Sequence, residues 1–288
     1  MSSPKFKVLW AASGFTPTHP DAIQEIASEE TNRLPAKTHR VVQIRPGILV
    51  KYGLHVTTKE AQNMMVISKN STIPIPKVLA YATFGPFLRA ARGNVIREGK
   101  FYETYIYMAL ARGQPLDKIW DACSKKTRKA VSEQLTNYLR ELRKLTGHYI
   151  GSLNNGPVLD LASPSIKNKG PFKTEEEFNT TLIDAYIKTL DNKGPSIEAF
   201  VQTLLSNNDH EIHFTHGNLK PHHILVYNGG VSAILDWSLS GFYPEYWEFA
   251  KVLDEDKLSD EKTVFVMESF PQQYALEYLI YSFLTEVL

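Results

Sequence analysis

The chain has 288 residues, 43% of them hydrophobic and 22% charged, the balance of an ordinary soluble globular protein with one large domain or two lobes. Its 32 basic and 31 acidic side chains leave a formal charge of +1 with no long single-sign stretch, which disfavours nucleic acid and anionic membranes as main partners. One cysteine, Cys123, excludes an intramolecular disulfide and a Cys-rich zinc cluster and fits a reducing, cytoplasmic setting; no segment reads as a signal peptide or a membrane span.

Near the N-terminus, an apolar cluster at Phe6–Trp10 precedes a polar stretch, THPDAIQEIASEETNRL, that reads as a short helix. His39–Ile44 (HRVVQI) and Ile48–Tyr52 (ILVKY) are β-rich runs joined by Arg45-Pro46-Gly47. Proline there fixes φ and glycine tolerates a positive one, so the pattern predicts an antiparallel hairpin. In TTKEAQNMMVIS, Ala61, Met64, Met65 and Ser68 share one helical face, and Thr57 with Glu60 forms a capping box. Ile73-Pro74-Ile75-Pro76 then forces an extended chain into a strand at Lys77–Thr83, and FYETYIYMAL, Phe101–Leu110, is a second strand. The predicted order is β-β-α-β-β.

Beyond Arg112-Gly113-Gln114-Pro115 the pattern becomes helical. Between Ser124 and Thr146, Val131, Leu135, Tyr138, Leu139, Leu142 and Leu145 draw a stripe of 3.6-residue period on a charged helix. Ile150–Lys173 is rich in Gly, Asn, Pro and Ser and reads as a long loop, followed by helices at Thr174–Leu190 and Ser196–Ser206. Ile224–Tyr227 and Val231–Leu235 form a strand pair around Asn228-Gly229-Gly230, and helices complete the chain.

Several short texts fall in a telling order: VKYG at Val50–Gly53 with Glu60-Ala61, STIPIPKV at Ser71–Val78, YIYMALARGQPLDKIW at Tyr105–Trp120 and YIGSLNNGP at Tyr149–Pro157. HGNLKPHHILV at His216–Val226, ILDW at Ile234–Trp237 and GFYPEYWEFAKVL at Gly241–Leu253 follow. Together they resemble the aminoglycoside phosphotransferase and choline kinase family, in particular its fungal aminoglycoside phosphotransferase-like branch, over about residues 39–253. The resemblance implies an α+β, bilobal protein-kinase-like fold: a β-rich N-lobe over 1–110 with one long helix, a linker at 111–115, and a helical C-lobe over 116–288. It implies ATP and magnesium as cofactors. Lys51 is similar to the lysine that contacts the α- and β-phosphates, Glu60 to its ion-pair partner, and Met108 to Leu110 to the linker whose backbone meets adenine. His216 matches the catalytic-loop histidine and Asp236 the magnesium-holding carboxylate. Plainer readings stand beside these: Lys51 as an aggregation-blocking edge lysine, Glu60 as the capping partner of Thr57.

Where the family loop reads His-Gly-Asp, four residues, then Asn, this chain has Asn218 and His223. An amide at 218 positions a hydroxyl but takes no proton, and general-base help is worth roughly 10²–10⁴-fold. Imidazole at 223 suits zinc, copper, iron or nickel better than magnesium, which prefers hard oxygen ligands. His216, His222 and His223 could supply acid–base chemistry with Asp236; a zinc site from His222, His223 and Asp236 is the less favoured alternative. Three functions therefore stand: a repurposed family member using Asn218, His223, Asp236 and His216 in a cyclisation, isomerisation or elimination on a small metabolite; an ATP- and magnesium-dependent small-molecule kinase tolerating the altered loop; and a pseudokinase binding protein. The long loop carries Asn154, Asn155, Asp160 and Ser163 without a dense acidic patch, which argues against a polycationic aminoglycoside as substrate. The oligomeric state is not legible.

Overall fold

The computed structural model describes residues 3–29, 33–34, 39–92, 95–160, 166–189, 195–204, 209–253 and 261–285. The chain divides into two compact units, residues 1–68 with 75–111 and residues 69–74 with 112–288.

The first unit begins with β1 (Lys5–Ala11) and α1 (Pro20–Ser28). Pro20 opens the helix with its φ pre-set, the His19 side chain accepts from the Asp21 N–H at 3.4 Å, and Ile23 and Ala27, four apart, are buried. Next come β2 (Arg33–Leu34), β3 (Arg40–Arg45), β4 (Ile48–Gly53), α2 (Thr58–Asn70), β5 (Val78–Arg92) and β6 (Val95–Ala109). The strands form one antiparallel sheet in the order β1-β5-β6-β4-β3-β2. Ile23, Ala27, Val42, Val50, Tyr52, Ala80, Ala82, Phe84, Tyr105 and Tyr107 make the core, with Tyr52 and Tyr105 stacked at 4.9 Å. Beyond the β-β-α-β-β order the unit has two further strands, β1 and β2, while α1 lies inside the stretch that reads as a short helix. In the sequence β1 shows only as an apolar cluster, because a bulge between Val8 and Trp10 breaks its alternation.

The second unit opens with β7 (Gln114–Pro115), α3 (Leu116–Ile119) and α4 (Lys125–Arg143). Ser124 caps α4 by accepting from the Thr127 N–H at 3.1 Å, and Val131, Leu135, Leu139 and Leu142 bury the predicted stripe. Glu141 on the same helix takes the Thr72 N–H at 2.6 Å and the Thr72 hydroxyl at 2.5 Å, fastening residues 69–74 to this unit. After α4 come α5 (Glu175–Thr189), α6 (Pro195–Leu204), β8 (Ile212–Thr215), β9 (Ile224–Tyr227), β10 (Gly230–Ile234) and β11 (Gly241–Pro244). The chain continues through α7 (Trp247–Leu253), α8 (Glu261–Glu268) and α9 (Ala275–Thr285). Two small antiparallel sheets, β10-β9-β7 and β11-β8, frame the loop between β8 and β9.

The expected long loop is fastened at its base, where Ile150 bridges Phe172 and Gly151 bridges Phe242 of β11. Of its polar residues, Asp160 is buried at 1% exposure, and Ser163 lies outside the described residues. No helix among the described residues is long and apolar enough to cross a membrane.

Candidate active site

The loop after β8 turns on Gly217, whose φ of +76° favours glycine; a Cβ there would come within 2.7 Å of the Leu239 carbonyl oxygen. Beside it, His216 is fully buried with both ring nitrogens engaged. Nε2 lies 2.8 Å from the Leu235 carbonyl, which only accepts, so Nε2 carries the proton and Nδ1 is left to accept the Asn218 N–H at 3.1 Å. The ring meets Trp237 edge-on at 4.6 Å, and the Ser240 hydroxyl donates to the His216 carbonyl at 2.9 Å. His216 therefore braces the turn.

Glu248 holds the loop from below. Its carboxylate accepts the His216 N–H through a short contact and the Gly217 N–H at 3.0 and 3.2 Å. Burial pushes its carboxyl up to about 7, against the pull of these N–H groups and of Arg143. In the sequence Glu248 stands inside GFYPEYWEFAKVL with nothing nearby that marks it as a support of the loop. Lys220, between Asn218 and His223 in the same loop, is buried at 4% exposure, and its place inside the loop is the one sign of it in the sequence.

Asn218, His223 and Asp236 come together. The Lys220 N–H donates to the Asn218 carbonyl at 2.9 Å, and the His223 N–H to the Lys220 carbonyl at 2.9 Å, which folds Pro221–His223 into a 3₁₀ turn. The Asn218 carbonyl also receives His223 Nδ1 at 2.9 Å, leaving Nε2 3.4 Å from Asp236 Oδ2. Asp236 itself sits in left-handed backbone, φ 60° and ψ 68°, at the end of the β9–β10 hairpin. His223 and Asp236 are partly exposed, and His222, exposed on the same turn, lies 4.1 Å from His223 ring to ring.

In the first unit, Lys51 Nζ lies 2.7 Å from Glu60 Oε1, both side chains buried. Lys51 sits on β4 between β3 and β6, an interior strand, so the edge-lysine reading is replaced by a buried ion pair. Met108, 8% exposed, pairs with Leu49 and Val78, while Leu110 is exposed and donates its N–H to the Gly47 carbonyl at 2.8 Å.

The second unit's donors do not suit magnesium. Asp236 offers one hard carboxylate, and the neighbouring position holds an imidazole nitrogen where an oxygen would be needed. Among the described residues no group of three His, Cys, Asp or Glu side chains converges to hold a metal ion.

A family model described as "Phosphotransferase enzyme family" matches residues 38–284. No curated protein sequence matches the chain. Among solved structures, the apo form of a thermostable mutant of aminoglycoside phosphotransferase APH(4)-Ia is similar at TM-score 0.55 and 14% identity, over 88% of this chain and 84% of that one. The streptomycin–ATP ternary complex of APH(2")-IIa gives 0.52 at 12% identity, over 92% and 86%. ADP-bound APH(2'')-Ib gives 0.52 at 12% identity, over 90% and 84%. The likeness establishes the aminoglycoside-kinase type of fold, with a β-rich N-terminal part and a helical C-terminal part.

Proposed function

The chain belongs to the phosphotransferase enzyme family, and from that premise we propose that it acts on a small organic metabolite by moving protons, with His223 as the acid–base group. One observation carries this reading: the imidazole of His223, which the resemblance sets where the family has asparagine, is oriented by the Asn218 carbonyl at Nδ1 and faces Asp236 at Nε2. A histidine so held takes a proton from one atom of a substrate and returns it to another, which balances an isomerisation or cyclisation; in an elimination the proton leaves with the departing group. Asp236 supports the positive charge that develops on the ring, Asn218 aligns the ring and offers an amide to the substrate, and His216 keeps the turn in shape. The setting we propose is cytoplasmic. The substrate is less charged than a streptomycin-like polycation, because Asp160, the described acidic residue of the long loop, is already paired with Lys251.

The Lys51–Glu60 pair supports a second reading, ATP-dependent phosphoryl transfer to a small molecule, since a buried cation of this kind fits a nucleotide phosphate. Calorimetry with ATP, with and without magnesium, separates the two. We expect no magnesium-dependent gain in affinity; a strong gain would favour the second reading. For a substrate turned over without ATP, His223→Ala should lower kcat by roughly 10²–10⁴-fold. Undiminished turnover would sink the assignment of His223, and binding of metabolites without any turnover would favour a non-catalytic binding protein.

A further inference from the structure

All seven residues of α7 are buried, two of them ionisable. Glu248 grips the loop after β8, while Lys251, nearly one turn on, reaches the long loop. Its Nζ donates to Asp160 Oδ1 at 3.0 Å and to the Tyr281 hydroxyl at 3.1 Å, and that hydroxyl donates to Asp160 Oδ2 at 3.2 Å. The three groups close a ring of hydrogen bonds, at 5%, 1% and 3% exposure for Lys251, Asp160 and Tyr281. The ammonium also lies over the rings of Trp247 and Tyr281 at 5.8 and 5.3 Å. A second tie runs alongside: the Leu159 N–H donates to the Tyr243 hydroxyl at 3.0 Å, and the Tyr243 ring stacks on Trp247 of α7 at 5.3 Å.

Apolar side chains of similar volume would fill this place without desolvating two charges, so packing alone does not call for a lysine and an aspartate here. What the ionic ring adds is direction: it holds only when the loop, α7 and α9 stand at one distance and angle. We infer that Lys251, Asp160 and Tyr281 are positioning residues that register the long loop against α7 and, through Glu248, fix the His216–Leu219 turn. The inference does not depend on which reaction the turn supports. A ligand that displaces the loop near Asp160 changes the turn through the same helix.

The test needs no substrate. Amide hydrogen exchange is followed in the whole chain for Lys251→Met, Asp160→Asn and Tyr281→Phe. The His216 and Gly217 amides, which donate to Glu248, should exchange about tenfold faster or more in the first two variants and less so in the third, while Leu135 and Leu139 of α4 change by less than about twofold. The Gly217 amide shift, followed against pH, reports Glu248; its midpoint should fall in Lys251→Met as α7 loosens and Glu248 gains water. Unchanged exchange at His216 and Gly217, or an increase equal to that at Leu135 and Leu139 with no shift in midpoint, would overturn the inference. If Lys251→Met does not fold, Tyr281→Phe, which removes one hydroxyl, carries the same comparison.

Discussion

At position 236 backbone and chemistry can be separated. With φ at 60°, aspartate and asparagine are tolerated because their short polar side chains bond locally, whereas alanine is strained by about 1 kcal/mol or more. Asp236→Asn should therefore keep the stability of the chain while removing the charge opposite His223, and Asp236→Ala should lower stability as well; urea unfolding distinguishes them. Glu248 gives a pH signature. Its folded carboxyl titrates at about 7 against 4.5 ordinarily, so the stability it contributes is complete below pH 4.5 and is lost as pH rises to 7. The amount is of the order of 3 kcal/mol. In Glu248→Gln that part of the slope disappears, and the variant is less stable than wild type at pH 5, because the amide turns a donor towards backbone N–H groups. An unchanged slope between pH 4.5 and 7 would show that another group is responsible.

Among the elements, β4 and α2 are joined by a buried pair whose halves depend on each other. Lys51→Met leaves the Glu60 carboxylate buried without that cation and should cost roughly 3–5 kcal/mol in chemical denaturation, whereas Lys51→Met with Glu60→Met should recover most of it. A small loss in the single variant would contradict this. Local elements were the legible part of the sequence. The β3–β4 hairpin, α4 and the β9–β10 hairpin each announce themselves within a few residues, through turn chemistry or a 3.6-residue stripe. For the same reason Asn218, His223 and Asp236 could be grouped, since one loop and one hairpin bring them together. β1 is not legible in the same way, because its partner β5 lies some seventy residues away and a bulge interrupts its pattern.

For the molecule as a whole, the groups that hold the helical unit together are joined across long stretches of sequence. Glu248 meets the loop 32 residues back, and Lys251 meets Asp160 91 residues back. No spacing rule reaches that far, which is why the sequence brings out the candidate residues of one loop and one hairpin and not the groups that support them. His210 belongs with these supports: it joins Glu175 of α5 at 2.8 Å and Glu277 of α9 at 3.6 Å, among Glu245, Tyr246 and Tyr274. The hydrogen bond to Glu175 and the nearby carboxylates raise its ring above the usual value against the effect of burial. Its contribution to stability is therefore complete below about pH 6.5 and is lost as pH rises through the raised folded value. Thermal unfolding across pH 6–9 should show a falling Tm that flattens in His210→Gln; a slope untouched by the substitution would assign it elsewhere.

The tautomer of His216 has a use of its own. With the ring sealed from solvent and Nε2–H bound to the Leu235 carbonyl, that proton should give a slowly exchanging, far-downfield NMR resonance. One line in a one-dimensional spectrum of the unlabelled protein would then report the integrity of the turn.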